Sequence, residues 1–143
     1  MISYWLLKTE PDEYSWTDLS REKEAVWDGV KAPAALNNIK KMRPGDFAFI
    51  YHTGKERSIV GIGRITSSPY FKPQDKVLGL VFKIAPVEKL AHAVTLRQIK
   101  DSGRFPDWDL VRLPRLSVVP VNHQQWQYIM ECHGDGVSKG PSP

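Results

Sequence analysis

Short apolar runs separated by polar, proline- and glycine-bearing breaks recur along this chain, the cadence of a strand-rich domain. Tyr4, Trp5, Leu6 and Leu7 are bulky or apolar without interruption and Pro11 follows soon after, so residues 3–8 read as a buried strand. Ser15 with Asp18 three positions on resembles a capping box, which predicts a short helix over 16–22. Pro33 suits a first helical turn, and Ala35, Ile39 and Met42 form one apolar stripe before Arg43-Pro44-Gly45-Asp46 turns the chain. That spacing predicts a helix over 33–42. Residues 47–52 are too apolar on both faces for an exposed strand, and 54–56 read as the hairpin connection to a partner at 58–65, giving a central antiparallel pair.

Residues 66–76 hold Pro69 and Pro73 around Tyr70 and Phe71, which predicts a loop whose aromatic tip lies over something. Residues 78–90 make a long strand candidate in which Pro86 marks a bend or an edge. Residues 95–100 have helical character that ends near Gly103, and 116–121 read as a further strand. The last helix is marked by Asn122 as cap, Gln125 at the third position and Val121 placed to staple against Trp126. Trp126, Ile129 and Met130 would form its buried stripe, with Gly134 just past its end. Residues 134–143 carry no apolar pattern and are expected to be a disordered tail, leaving one domain over 1–133. Successive strands with a helical insertion after the first favour an α+β fold on a small, curved barrel of mixed strands over a βαβ parallel sheet.

A chain of 143 residues is long enough to build one core without disulfides or metal. Its single cysteine, Cys132, excludes an internal disulfide framework, and no signal-peptide or membrane-spanning pattern stands out. A reducing compartment is expected, cytoplasmic or, in a eukaryotic source, nuclear, with no membrane partner. Charge is unevenly spread: residues 1–28 carry three basic and seven acidic side chains, residues 29–143 seventeen basic and nine acidic. The basic remainder is compatible with a phosphate backbone as partner.

Several chemistries are disfavoured. Gly61-Ile62-Gly63-Arg64 lacks the third glycine of a dinucleotide fingerprint and continues as a strand where a helix should open. In a strand, Gly61 and Gly63 leave one face bare, for barrel curvature or for close approach of a ligand. The four histidines are scattered and Cys132 lies near the core face of the last helix, so neither a metal centre nor a cysteine nucleophile is expected, and no cofactor is implied. No serine-hydrolase elbow is present. More informative are Lys8, Thr9 and Glu10 at the end of the first strand, which suit either a turn or a polar ligand edge. Trp27 beside Asp28 pairs a stacking plate with an acceptor for an exocyclic amine, although a core indole before an Asp-Gly turn has the same composition. An amide at Asn37-Asn38 could be reserved for a ligand or could anchor a loop.

Taken in order, Tyr4-Trp5-Leu6-Leu7-Lys8-Thr9-Glu10-Pro11, Trp27-Asp28-Gly29-Val30, Asn37-Asn38, Pro44-Gly45-Asp46, Phe49-Ile50-Tyr51-His52, Val60-Gly61-Ile62-Gly63 and Arg115-Leu116-Ser117-Val118 resemble the EVE domain family. This resemblance implies a PUA-like pseudobarrel, related to YTH, SRA and ASCH domains, and a non-enzymatic pocket for a modified base in DNA or RNA, with modified cytosine favoured. It implies that Lys8, Thr9 and Glu10 supply polar contacts and that Trp27 and Asp28 face the base. Tyr51, His52, Gly61 and Gly63 would lie near the pocket and Phe71 or Tyr70 would close its cage; on the surrounding surface, Arg64, Arg112 and Arg115 are the candidates to hold phosphates on a basic rim. The chain departs from the family pattern at 32–36, where Ala32, Ala34 and Leu36 replace polar residues, so the ligand is left open. Fold kinship does not decide it. The competing readings are an ASCH-like ribonuclease using Lys8 with Glu10 or Asp28, and a small-molecule or nucleotide sensor.

Overall fold

The computed structural model describes residues 2–74 and 77–135. Strand β1 is Tyr4–Thr9, followed by helix α1 (Trp16–Glu22), strand β2 (Ala25–Trp27) and helix α2 (Pro33–Ile39). Strands β3 (Phe47–His52), β4 (Ser58–Ile65), β5 (Tyr70–Gln74) and β6 (Val77–Thr95) then run in succession. Helices α3 (Leu96–Ser102) and α4 (Asp109–Arg112), strand β7 (Val118–Val121) and helix α5 (His123–Asp135) complete the described chain.

One curled sheet orders its strands β2-β6-β4-β3-β1-β7, with β5 folded back on β6. β1 pairs in parallel with β3, from Tyr4 opposite Phe47 to Thr9 opposite His52, while every other pairing is antiparallel. This is the α+β, PUA-like architecture of mixed, mostly antiparallel strands with flanking helices. β1 lies inside the sheet because its side chains are apolar on both faces, and Leu6 and Leu7 are fully buried. Its parallel crossover is bridged by α1, β2 and α2, as a parallel pairing requires.

Capping chemistry fixes three helix starts. Ser15 Oγ accepts from the Asp18 amide while an Asp18 carboxylate oxygen accepts from the Ser15 amide at 2.9 Å. Thr95 and Gln98, and Asn122 and Gln125, make the same reciprocal pairs. At α3's far end Gly103 takes φ 67, a left-handed conformation that glycine adopts without a Cβ penalty. Asp46 is 2% exposed and accepts from the Trp5 indole, the Ser3 amide and the Arg43 amide, each at 3.0 Å. It thereby ties the start of β1 to the turn before β3.

The glycines of β4 have a packing role. A Cβ on Gly61 would run into the Trp16 ring, and one on Gly63 would lie 2.8 Å from Ile84. The bare face is therefore filled by Trp16 and Ile84 rather than left open for a base. The pairing with β6 shifts register between Ile59 and Gly61 and again between Ile62 and Gly63, where Gly63 faces Pro86. The bend expected at Pro86 is thus a bulge, where a missing N–H is tolerated. Gly61→Ala is expected to destabilise the fold by about 1–3 kcal/mol through overpacking against Trp16, measured as a lower urea midpoint at unchanged slope.

Other boundaries moved. α2 ends at Ile39 instead of 42, because the Lys41 and Met42 amides bond back only three residues, to Asn38 and Ile39, tightening the last turn. The loop expected at 66–76 contains β5, paired with β6 from Tyr70 opposite Val81. Gly134 lies within α5 instead of beyond it; the rest of the expected tail, 136–143, lies outside the described residues. Among the described residues no helix is long and apolar enough to cross a membrane.

Candidate functional site

β1 ends where the curled sheet leaves a seam. Its residues Lys8 and Thr9, with Glu10 beyond them, open into a cavity of about 720 Å³ whose other walls are the 13–14 turn, Glu22 of α1, residues 25–31 and Ser117. Residues 25–27 are β2 and Ser117 immediately precedes β7, so the first and last strands of the sheet order both reach this cavity. The structure brings Lys8, Thr9, Glu10, Trp27 and Asp28 together around one space.

Each of these side chains is held in a definite way. Lys8 Nζ donates to the Pro114 carbonyl at 3.0 Å and lies 5.7 Å from the centre of the Tyr51 ring. Burial lowers its pKa, since desolvation disfavours the ammonium. Thr9 Oγ1 donates to the Tyr14 carbonyl at 2.7 Å, closing the turn that the Glu13 and Tyr14 amides make onto the Glu10 carbonyl. Glu10 accepts from the Asp12 amide at 3.2 Å and from the Thr53 hydroxyl at 3.4 Å.

Trp27 is 8% exposed. Its ring stacks near Phe82, 6.5 Å between centroids at 22°, and meets Tyr14 edge-on at 6.1 Å and 87°. The indole is therefore a wall of the cavity, largely covered by its neighbours, with only a margin left for a ligand. Asp28 is exposed beside it.

Tyr14, Glu13, Glu22 and Ser117 also line the cavity, and sequence reasoning passed over them. Tyr14 was legible as an aromatic residue immediately before the Ser15 cap, where side chains commonly pack on the helix start. Its hydroxyl donates to Glu22 Oε1 at 2.6 Å. Burial, reinforced by the Glu22 carboxylate, raises the phenol pKa well above its ordinary value, so Tyr14 is held as a donor to Glu22.

The remaining expected residues lie elsewhere. Asn37 is exposed on α2, and it is Asn38 whose amide donates to the Val118 carbonyl, at 2.8 Å, anchoring α2 to β7. Tyr51 is 3% exposed beneath Lys8; burial raises its phenol pKa. His52 is 7% exposed; its Nε2 accepts from the Trp16 amide at 3.0 Å and its Nδ1 faces Glu56 at 2.9 Å. It is a strut for the start of α1, with both ring nitrogens engaged. Phe71 is 62% exposed on β5 and does not line the cavity.

Nor is the cavity lining basic. Glu10, Glu13, Glu22 and Asp28 line the cavity against Lys8 and Lys31, placing the acidic N-terminal segment where a cationic edge had been expected. Arg64 is exposed on β4, and Arg112 is held by Asp109 at 3.0 Å and by the Asp107 carbonyl at 3.2 Å. Arg115 is exposed between Pro114, which holds Lys8, and Ser117, which lines the cavity. The altered segment 32–36 contributes nothing to the lining, which reaches only to Lys31. Leu36 packs on the core and Ala32 is the N-cap of α2 without a side-chain bond. Among the described residues no group of three or more His, Cys, Asp or Glu is placed to hold a metal ion.

Comparison with known proteins places this geometry in a family context. The EVE domain profile matches residues 3–132. Thymocyte nuclear protein 1 of Mus musculus is 27% identical over 91% of this chain and 73% of its own length. A solved protein from Pseudomonas putida is 33% identical and superimposes with a TM-score of 0.84, covering 91% of this chain and 99% of its own. Human thymocyte nuclear protein 1, solved in complex with DNA containing 5-methylcytosine, is 20% identical with a TM-score of 0.81 over 99% of both chains, a likeness of fold.

Proposed function

The chain belongs to the EVE domain family, and from that membership we propose that the seam cavity receives a modified nucleobase of DNA or RNA, a modified cytosine foremost. The observation that carries this reading is the convergence of Lys8, Thr9, Glu10, Trp27 and Asp28 on one cavity of about 720 Å³, roomy enough for a base with its sugar. The complex of human thymocyte nuclear protein 1 with methylcytosine-containing DNA supports the ligand class.

A base reaches such a recess only from a single strand or by being flipped out of a duplex. Inside, Trp27 and Tyr14 meet at a right angle and offer apolar walls. Lys8 supplies donors for a carbonyl or ring nitrogen, and Asp28 and Glu10 supply acceptors for an exocyclic amine. Phosphates are held outside the acidic lining, with Arg115 the best placed of the expected arginines. Readout at the cavity and backbone attraction by the basic remainder of the surface are therefore separate functions.

Asp28→Ala tests this directly, because Asp28 is exposed and its loss leaves the core intact. In a fluorescence titration with oligonucleotides bearing methylated or unmodified cytosine, the variant is expected to bind the preferred modified strand about tenfold more weakly, the value of one good edge contact. Equal binding by the two proteins, with no preference among modifications, overturns the proposal. A salt titration separates nucleic acid from a free nucleoside, since only phosphate contacts give affinity that falls steeply with salt.

A further inference from the structure

Phe71 is 62% exposed, more than any other large apolar side chain among the described residues. Yet it sits in a paired strand: it faces Leu80 of β6 in register, and Leu80 is 8% exposed. Cross-strand partners share a face, so the Phe71 ring stands on the core side of β6 with Leu80 and Phe82. β5 runs along the flank of β6 that β4 occupies, since Ile65 also pairs with Ile84 and the Thr66 amide donates to the Lys83 carbonyl at 2.8 Å. β2 lies on the opposite flank, where Trp27 pairs with Phe82. Phe71 and Trp27 therefore share one face of the sheet. With neighbouring strands about 4.8 Å apart and a rise of about 3.3 Å per residue, their backbones are about 12 Å from each other.

We propose that Phe71 is a stacking platform for a base that neighbours the one held in the cavity, so that the β5 edge extends the nucleic-acid interface beyond the cavity. This rests on the base-recognition reading above and adds the strand that carries the base. Charge singles out the occupant. Residues 64–83 carry four basic and one acidic side chain, and Arg64, Lys72 and Lys83 are exposed, in contrast to the acidic cavity lining. Lys72 follows Phe71 on the opposite face of the edge strand, which puts an ammonium within reach of the phosphates of a strand that crosses there. An added peptide strand is opposed at the same place. β5 pairs with β6 alone, but Pro73 offers no N–H to a ladder and Lys72 charges the edge. A base drawn into the cavity leaves its neighbour without a stacking partner, and an exposed ring replaces that lost contact.

The experiment titrates the intact protein, by fluorescence anisotropy, with a short single-stranded oligonucleotide carrying one 5-methylcytosine and with the same strand lacking the methyl group. Phe71→Ala is expected to weaken binding of both strands about tenfold. The ratio between the strands and the urea midpoint should stay unchanged, because the ring lies outside the cavity and the core. Phe71→Trp should bind at least as tightly as wild type, whereas Phe71→Leu, apolar but without a π-face, should resemble the alanine variant. An abasic sugar placed beside the methylated cytosine should cost the wild type as much as Phe71→Ala does, and cost the variant little more. Equal binding of the methylated strand by wild type and Phe71→Ala, or a leucine variant that binds like wild type, overturns the inference and leaves base recognition standing. Self-association of the wild type that Phe71→Ala abolishes assigns the ring to a second copy and overturns it likewise. A wild-type protein that prefers neither strand overturns the base-recognition reading, and this inference with it.

Discussion

Asp46→Ala is expected to lower the free energy of unfolding by about 3–5 kcal/mol, one of the largest effects any single side chain here should show. The reason is the number of donors left behind. The Asp46 carboxylate, 2% exposed, accepts from the Trp5 indole and from the Ser3 and Arg43 amides, each at 3.0 Å. Alanine removes every acceptor at once, and a buried donor without a partner costs about 1–3 kcal/mol. An Asp46→Asn variant keeps one oxygen but turns an amide group toward the other donors, so its loss should be intermediate, about 2 kcal/mol. Urea unfolding followed by tryptophan fluorescence measures both. A loss below about 1 kcal/mol for the alanine variant would show that water replaces the carboxylate at this site.

Trp27→Ala is expected to cost about 3–5 kcal/mol of stability and to abolish ligand binding. Its ring is 8% exposed and covered by Phe82 and Tyr14, so truncation opens a void between β2 and β6 and removes a cavity wall. Because the two effects coincide, the alanine variant alone cannot distinguish a wall from a plate on which the base stacks. Trp27→Phe supplies the distinction. It should recover more than half of the lost stability, since an aromatic ring still meets Phe82, as chemical denaturation will show. Oligonucleotide titration then reads the indole's share: binding that remains as weak as in the alanine variant assigns the indole to the ligand, and binding restored with stability assigns it to packing.

The features that sequence displayed best were those decided within a few residues. The capping pairs at Ser15 and Asn122, the hairpin between β3 and β4 and the buried character of β1 depend on neighbours in the chain, and the structure has them where local chemistry puts them. β2 escaped notice because Ala25, Val26 and Trp27 become a strand only through pairing with Ile84, Lys83 and Phe82, a partnership no local pattern encodes. β5 escaped because Pro69 and Pro73 read as loop residues, whereas Pro69 lies just before the strand and pairing with β6 accommodates Pro73 at an edge. Helix α4 is a single turn of four residues, shorter than any periodicity can reveal.

The site divided along the same line. Lys8, Thr9 and Glu10 were visible as a polar end on an apolar strand, and Trp27 with Asp28 as an aromatic-acidic pair. Tyr14 and Glu22 belong to the cavity through a turn and a helix whose packing is tertiary. Gly61, Gly63, Tyr51 and His52 looked like ligand residues because their types suit one, yet Trp16, Ile84, Lys8 and the Trp16 amide already occupy them. Residue type announces a capacity for contact, and only the fold decides which contact uses it.

The seam between the two ends of the sheet has a kinetic meaning. β1, the cavity floor, is bonded on both sides, whereas β2, which carries Trp27, is three residues long and pairs with β6 alone. Opening β2 breaks few bonds and leaves the rest of the sheet paired, so that event costs less than global unfolding even though it exposes Trp27. The wall can therefore unlatch while the floor stays put, and on the proposed reading the entry and escape of a base are expected to follow how often this three-residue strand lets go. Amide exchange should rank residues 25–27 among the fast positions and residues 5–7 among the slowest, making residence time a property of the sheet's weakest edge.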